Sequence, residues 1–303
     1  MKRFTEMSTG LIPLTDTPDL DAQVLLAHVL DKPRAWVLAH PEATLTPKQT
    51  RVLEKTLRQL ESGVPLPYVL GKWEFFGLEF EVTPEVLIPR PETELLVERA
   101  VSWLRTAMKR QSMDITSAAC SGRQAREADW GMLRVLDVGT GSGCIAITLA
   151  VNEARLQVVA TDISPAAVEV ARRNATRFGV SERVDFFSCD LFPSEETFNV
   201  QPSTFNLIVA NLPYIPTATL HGLPVYGREP ILALDGGADG LAIIRRLLVE
   251  APRHLAPGGL ILLEIESSQG AKVLSLAHHA FTKAEIHLHQ DLAGRDRLVE
   301  IAL

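Results

Sequence analysis

Two short stretches of this sequence hold residues whose types and spacing could do chemistry. Residues 209 to 216 read V-A-N-L-P-Y-I-P, so an apolar run through Phe205, Leu207, Ile208 and Val209 stops at the carboxamide of Asn211. Leu212, Pro213 and Tyr214 follow. Asn and Pro punctuate strands routinely, so a plain turn is one reading. The other is a site that holds a flat, amide-like or base-like nitrogen. The second stretch is V-L-D-V-G-T-G-S-G-C at 135 to 144, where Gly139, Thr140, Gly141, Ser142 and Gly143 give a G-x-G-x-G spacing. Glycines there allow a tight turn and let a ligand lie against bare backbone at a helix N-terminus. A dinucleotide loop wants G-x-G-x-x-G, and here the third glycine comes one residue early, with Cys at 144. Asp137, just before the loop, would repel a phosphate and attract a cation. Asp162 ends the next apolar run, about 20 residues on, where a carboxylate can grip ribose hydroxyls. Asp190 ends the one after, in S-C-D-L-F. An acid there can accept from an exocyclic amine while Leu191 packs on a purine face. The glycine loop alone is a weak sign of a nucleoside ligand; with acids closing the next two strands it is a strong one.

The elements that must carry these residues alternate in type. Candidate strands are LRVLDV, QVVATD, VDFFS, FNLIVA, GLILLEIE, AEIHLH and RLVEIA. Helical patterns fall between most of them, at CIAITLAV, PAAVEVARRNATRF, GLAIIRRLLVEAPRHL and SQGAKVLSLAHHAF. The first five strands are short apolar runs without clean alternation, which suits a parallel sheet covered on both faces. Only QDLAGRD joins the last two, too short for a parallel crossover, so these should be antiparallel neighbours. The fold class is therefore α/β. Ahead of it, residues 1–66 read as a helical module, with Leu20, Val24, Ala27 and Leu30 as one apolar stripe. Residues 67–89 are rich in aromatic and β-branched types broken at Gly77, which reads as a β-hairpin linker. The catalytic domain then spans 90–303. Within it, 109–131 is polar, small and without period, and reads as a disordered insertion.

The loop with its two acids resembles the Rossmann-like S-adenosylmethionine-dependent methyltransferases. That resemblance implies a seven-stranded sheet in the order 3-2-1-4-5-7-6 with strand 7 antiparallel. It also implies S-adenosyl-L-methionine as cofactor, held by Gly139, Thr140, Gly141, Ser142, Gly143, Asp162, Asp190 and Leu191, with Asn211 between cofactor and substrate. Asp190 is added from its position alone. In this topology the fourth strand lies beside the first, and ligands bind above that crevice. Asn211 to Tyr214 resemble the [ND]-P-P-[YFW] signature of enzymes that methylate planar nitrogens, with Leu212 in place of the first proline. The nitrogen of an amide has a delocalised lone pair. Accepting hydrogen bonds from both of its N–H groups would aim that pair at the methyl carbon. The Asn211 side-chain oxygen and the Leu212 carbonyl can accept them, and Tyr214 can stack on the plane. Asn211, Leu212, Pro213 and Tyr214 are thus the expected catalytic and substrate-binding set.

N-L-P-Y is also the form found in ribosomal-RNA adenine dimethyltransferases, so the substrate is decided elsewhere. P-R-P-E-T-E-L-L-V-E (89–98), E-P-x-x-A-L-D-G-G-x-D-G-L (Glu229 to Leu241) and D-L-A-G-R-D-R resemble the PrmC/HemK family of release factor glutamine methyltransferases. The family implies methylation of the glutamine amide in the Gly-Gly-Gln motif of class 1 peptide release factors. The N-terminal helices would dock that protein or simply pack on the catalytic domain. Arg90, Glu92 and Thr93 could cap a helix and no more. Alternatives are an adenine N-methyltransferase acting on RNA or DNA, a cofactor-binding but inactive paralogue, and an NAD-dependent oxidoreductase.

Composition bounds these readings. Over 303 residues the chain is 46% apolar and 22% charged, with a formal net charge of −7. Nucleic-acid-coating domains are usually basic, so no direct nucleic-acid partner is expected. No signal peptide is expected, since no apolar segment follows the basic residues at the start of the sequence; no apolar run reaches about 18 residues, and Cys120, Cys144 and Cys189 form no disulfide framework. A cytoplasmic monomer is expected. His287 and His289 share a strand face without a third ligand, so no metal is expected.

Overall fold

The computed structural model describes residues 17–120, 132–194 and 204–303, the side chains of 112–120 excepted. The chain divides into two compact units, Met1–Trp73 and Glu74–Leu303. In the first, helix α1 (Pro18–Leu30) begins with proline in its first turn and stops where Asp31 turns left-handed at φ 52°. Helix α2 (Arg34–Ala39) follows. Helix α3 (Pro47–Glu61) opens with a capping box between Thr46 and Gln49, and α4 (Leu66–Leu70) closes the set. The core joins Ala22, Leu25 and Val29 to Leu53 and Leu66. The buried stripe of α1 is therefore not the expected one, and Leu20 stays exposed. The helix is apolar on more than one side, and contact with Leu53 and Leu66 decides which side is covered.

Strands β1 (Lys72–Phe75) and β2 (Leu78–Glu81) form the expected hairpin. Its turn carries two residues at positive φ, Phe76 (52°) and Gly77 (73°), as a two-residue hairpin turn demands. It is more than a linker. Phe75 and Phe80 are buried in the core of the second unit with Leu96, Val97 and Leu104. The Asn174 carboxamide clamps Glu81, accepting from its N–H at 2.8 Å and donating to its carbonyl at 3.0 Å. Helix α5 (Glu94–Cys120) continues through the first half of the segment read as a disordered insertion. No Gly or Pro interrupts 94–120, so nothing stops the helix where its polar stretch begins. The rest of that segment, 121–131, lies outside the described residues.

The sheet comprises β3 (Leu133–Val138), β4 (Leu156–Asp162), β5 (Val184–Ser188), β6 (Phe205–Ala210), β7 (Leu255–Glu264), β8 (Glu285–Gln290) and β9 (Asp296–Ala302). Their order is β5-β4-β3-β6-β7-β9-β8, with β9 antiparallel to both neighbours. This is the order and strand direction expected of the methyltransferase sheet. Between the strands run α6 (Cys144–Asn152), α7 (Pro165–Arg177), α8 (Thr217–Leu220), α9 (Ala242–Glu250) and α10 (Gly270–Ala280). Two cores explain why the central strands lack alternation. Leu207 and Val209 join Ile147 and Leu149 of α6 on one face, while Ile208 and Ala210 join Ile244 and Leu247 of α9 on the other. Each buried aliphatic side chain contributes about 1.5–3 kcal/mol, so both faces must be apolar.

Register then aligns the chemistry. Val138 stands beside Thr161 of β4 and Ala210 of β6. One residue further on each strand lie Gly139, Asp162 and Asn211, level with one another across the point where strand order reverses. Asp162 in turn stands beside Ser188 of β5, just ahead of Asp190.

Candidate active site

A cavity of about 400 Å³ opens above these strand ends. Gly139, Gly141, Asp162, Asp190, Leu191, Asn211, Leu212 and Pro213 all line it, so the expected residues from both stretches share one space. Val86 and Ile231 lie on its further walls.

The glycine loop is held from two sides. Asp162 accepts from the Gly141 N–H and the Ser164 N–H, each at 2.9 Å, which ties the loop to the start of α7. Burial raises the Asp162 pKa despite those bonds. Gly141 has open space where a Cβ would point, so the cavity reaches its bare backbone. A Cβ on Gly139 would come within 3.1 Å of Leu212 Cδ2. Leu212 therefore fills the position of the missing proline by packing on the loop, at 4% exposure.

Three residues expected at the cofactor do not reach the cavity. Thr140 is buried and donates its hydroxyl to Asp137 at 2.7 Å. Ser142 is buried with its carbonyl accepting from Asn174 at 2.9 Å. Gly143 faces Ile147 and Ala171. A loop this tight turns alternate residues inward, where they must find partners or pack. Asp137 is also turned inward. It is fully buried, accepts from Thr140 and from the Ala146 N–H at 3.1 Å, and braces the loop instead of meeting a ligand cation. Burial pushes its pKa to about 7.

Asp190 lines the cavity with its carboxylate paired to Arg246 at 2.7 Å, so an exocyclic amine would share that acid with a guanidinium. Leu191 holds a positive φ of 61°, uncommon for a branched residue. The Thr161 hydroxyl bonds its carbonyl at 2.8 Å and keeps that lip in place. Cys189 also lines the cavity, but burial pushes its thiol up to about 11, far from a nucleophile's range.

On the opposite side, Asn211 donates from Nδ2 to the Thr93 hydroxyl at 3.0 Å. Its Oδ1 remains as an acceptor at the cavity wall. Tyr214 stands behind that wall and does not line it. Its hydroxyl lies 3.4 Å from Glu264 Oε1, and its carbonyl accepts from Gln269 Nε2 at 2.8 Å. Tyr214 is half-buried, with its hydroxyl end anchored at Glu264. Burial raises the Tyr214 phenol above its usual range.

The 85–90 and 229–235 segments are joined by Glu229, which accepts from Arg90 at 2.5 Å and from the Ile88 N–H at 3.2 Å. Glu229 is itself buried, and Pro230 to Ala233 continue along the cavity. Sequence reasoning gave Thr93 no more than a helix-capping role and passed over Arg246. It also missed Glu264, although an acid closing an apolar strand is the signal that located Asp162. His289 bonds Glu300, which also takes Arg99. Among the described residues no cluster of three or more metal-binding side chains forms, and no helix is long and apolar enough to cross a membrane.

Residues 12–71 match the PrmC N-terminal domain, and residues 131–293 match a methyltransferase domain. The release factor glutamine methyltransferase of Moorella thermoacetica is 40% identical over 93% of this chain and 90% of its own. That of Coxiella burnetii is 35% identical over 97% and 95%. Among solved structures, the hMettl16 catalytic domain in complex with MAT2A 3′UTR hairpin 6 is 12% identical, with a TM-score of 0.50. The match covers 84% of this chain and 81% of that one and speaks to the fold alone. With relatives this similar along nearly their whole length, this chain belongs to the release factor glutamine methyltransferase family.

Proposed function

We propose that this chain transfers a methyl group from S-adenosylmethionine to the side-chain amide nitrogen of the glutamine in the Gly-Gly-Gln motif of class 1 peptide release factors. The observation that carries the reading is the single cavity shared by Gly139, Asp162 and Asn211. The residues fit the cofactor: Gly141 leaves room for a ligand against bare backbone, and Asp162 keeps lone pairs beyond those used by Gly141 and Ser164. Leu191 offers an apolar lip. When bound, S-adenosylmethionine supplies an electrophilic methyl group on a positively charged sulfur.

The chain's own residues then position the acceptor. Asn211 Oδ1 takes one amide N–H of the glutamine and the Leu212 carbonyl takes the other. Both acceptors sit on a strand end that buried neighbours hold still, so orientation supplies most of the rate. The nitrogen loses one proton as it gains the methyl group, and water can receive it once the amide bears positive charge. No strong general base is required.

The test is direct. Purified protein, labelled cofactor and a purified class 1 release factor should give label on the protein substrate, mapped by mass spectrometry to the Gly-Gly-Gln glutamine. Label found only on ribosomal RNA supplied in parallel overturns the reading in favour of an adenine methyltransferase. Cofactor binding without any turnover overturns it in favour of an inactive paralogue.

A further inference from the structure

Glu264 ends β7, the strand beside β6, and is 2% exposed. The mechanism above gives it no task. Its Oε1 meets the Tyr214 hydroxyl at 3.4 Å, the Thr93 side chain lies beside the carboxyl, and its buried Oε2 has no hydrogen-bond partner among the described residues. Thr93, buried at 2% exposure, is the same hydroxyl that accepts from Asn211. The chain of contacts therefore runs from Glu264 through Thr93 to the carboxamide at the cavity, and separately to Tyr214 three residues further along.

We propose that Glu264 is a positioning residue that sets which end of the Asn211 carboxamide faces the cavity. A hydroxyl has one proton and two lone pairs, and an ionised carboxylate only accepts. With Glu264 ionised, the Thr93 proton is drawn to it, and Thr93 can only accept from Asn211. Asn211 must then turn Nδ2 toward Thr93 and leave Oδ1 for the ligand. An amide at position 264 can donate to Thr93 instead. The Thr93 proton is then free for Asn211, and the carboxamide can flip. A donor would face the incoming N–H group where an acceptor is needed.

The charged and titratable groups facing Glu264 are Arg297, which favours the ionised form, and Glu92, which opposes it, with Tyr214 and Cys144 beside them. Burial is the largest influence and pushes its pKa to about 7. The orientation of Asn211 should then depend on pH near neutrality.

The inference rests on the release-factor reading only for its kinetic readout. The variants are Glu264→Gln, Thr93→Val and Thr93→Ser. Glu264→Gln and Thr93→Val should lower kcat by about tenfold or more, the scale of one lost oriented bond, while cofactor Kd stays within about twofold. Thr93→Ser, which keeps the hydroxyl, should recover most of the turnover. Wild-type kcat should climb as pH rises through about 7, and Glu264→Gln should lose that limb. The second readout needs no turnover: the Asn211 side-chain ¹⁵N–¹H signals of the cofactor-free protein, identified by their loss in Asn211→Ala. They should move in Glu264→Gln and Thr93→Val and stay in Thr93→Ser. Unmoved signals overturn the proposal, as does a Glu264→Gln enzyme with unchanged kcat and pH profile. If wild type does not methylate the release factor, that reading alone falls, and the amide signals decide this one. If Glu264→Gln does not fold, Thr93→Val carries the same test.

Discussion

Gly141 and Gly143 look interchangeable in the sequence, and their replacement by alanine should have opposite consequences. Both hold positive φ, 55° and 81°, so each alanine carries a backbone cost of about 1–2 kcal/mol. Gly141 adds nothing further, since its Cβ would point into open space. At Gly143 the new Cβ would lie 2.7 Å from Ile147 Cδ1 and 3.1 Å from Ala171 Cβ. The isoleucine tip can swing aside, but the alanine methyl is fixed to the backbone of α7. Overpacking of this kind costs about 1–3 kcal/mol. The two variants should then differ by that amount, which for a unit of this size is about 2–4 °C in Tm per kcal/mol. Thermal unfolding of both proteins, with cofactor titration by calorimetry, reads the two effects apart. Both should melt below wild type, Gly143→Ala the further, whereas Gly141→Ala should lose only the backbone cost in Tm and also lose cofactor affinity, because its methyl group enters the cavity. Equal melting temperatures would refute the claim that Gly143 serves packing and Gly141 the ligand.

Other expectations follow from the same contacts. Asn211→Ala should leave cofactor affinity nearly intact and lower kcat by about 10²–10³-fold, the scale of one oriented polar group at a reacting centre; steady-state kinetics and calorimetry check it. Glu229→Ala strips Arg90 of its partner and the Ile88 N–H of its acceptor. Because Arg90 is partly exposed, the cost should be about 2–3 kcal/mol, below the full value for a buried pair, and denaturant unfolding would measure it. Asp137 and Glu264 have folded pKa values raised to about 7, above their unfolded values of about 4. Their contribution is full below about pH 4 and lost as pH rises through about 7. Carboxylates held low, such as Asp235 and Asp291, lose theirs only in more acidic solution. Tm should therefore decline between pH 5 and 8, and Asp137→Asn should flatten part of that decline. A wild-type Tm that rises across the interval would contradict the burial of these two acids.

Seven strands and the antiparallel pairing of the last two could be read from the sequence by itself, while their order and the row formed by Gly139, Asp162 and Asn211 were implied by the resemblance to the methyltransferases. Apolar runs closed by a polar residue mark strand ends, and the short Gln290–Asp296 connection admits only an antiparallel pair. These are local signals, carried by spacing along the chain. Tertiary structure decided which way the side chains turned. Thr140 and Asp137 face each other inside the loop, Tyr214 reaches back to Glu264, and Thr93 bonds Asn211 across 118 residues of chain. Leu20 on α1 was left exposed because Leu53 and Leu66 covered another stripe. A buried polar atom must find a partner or bear its desolvation, and a helix covers whichever face its neighbours present. Both outcomes depend on residues distant in sequence, so no window along the chain contains them.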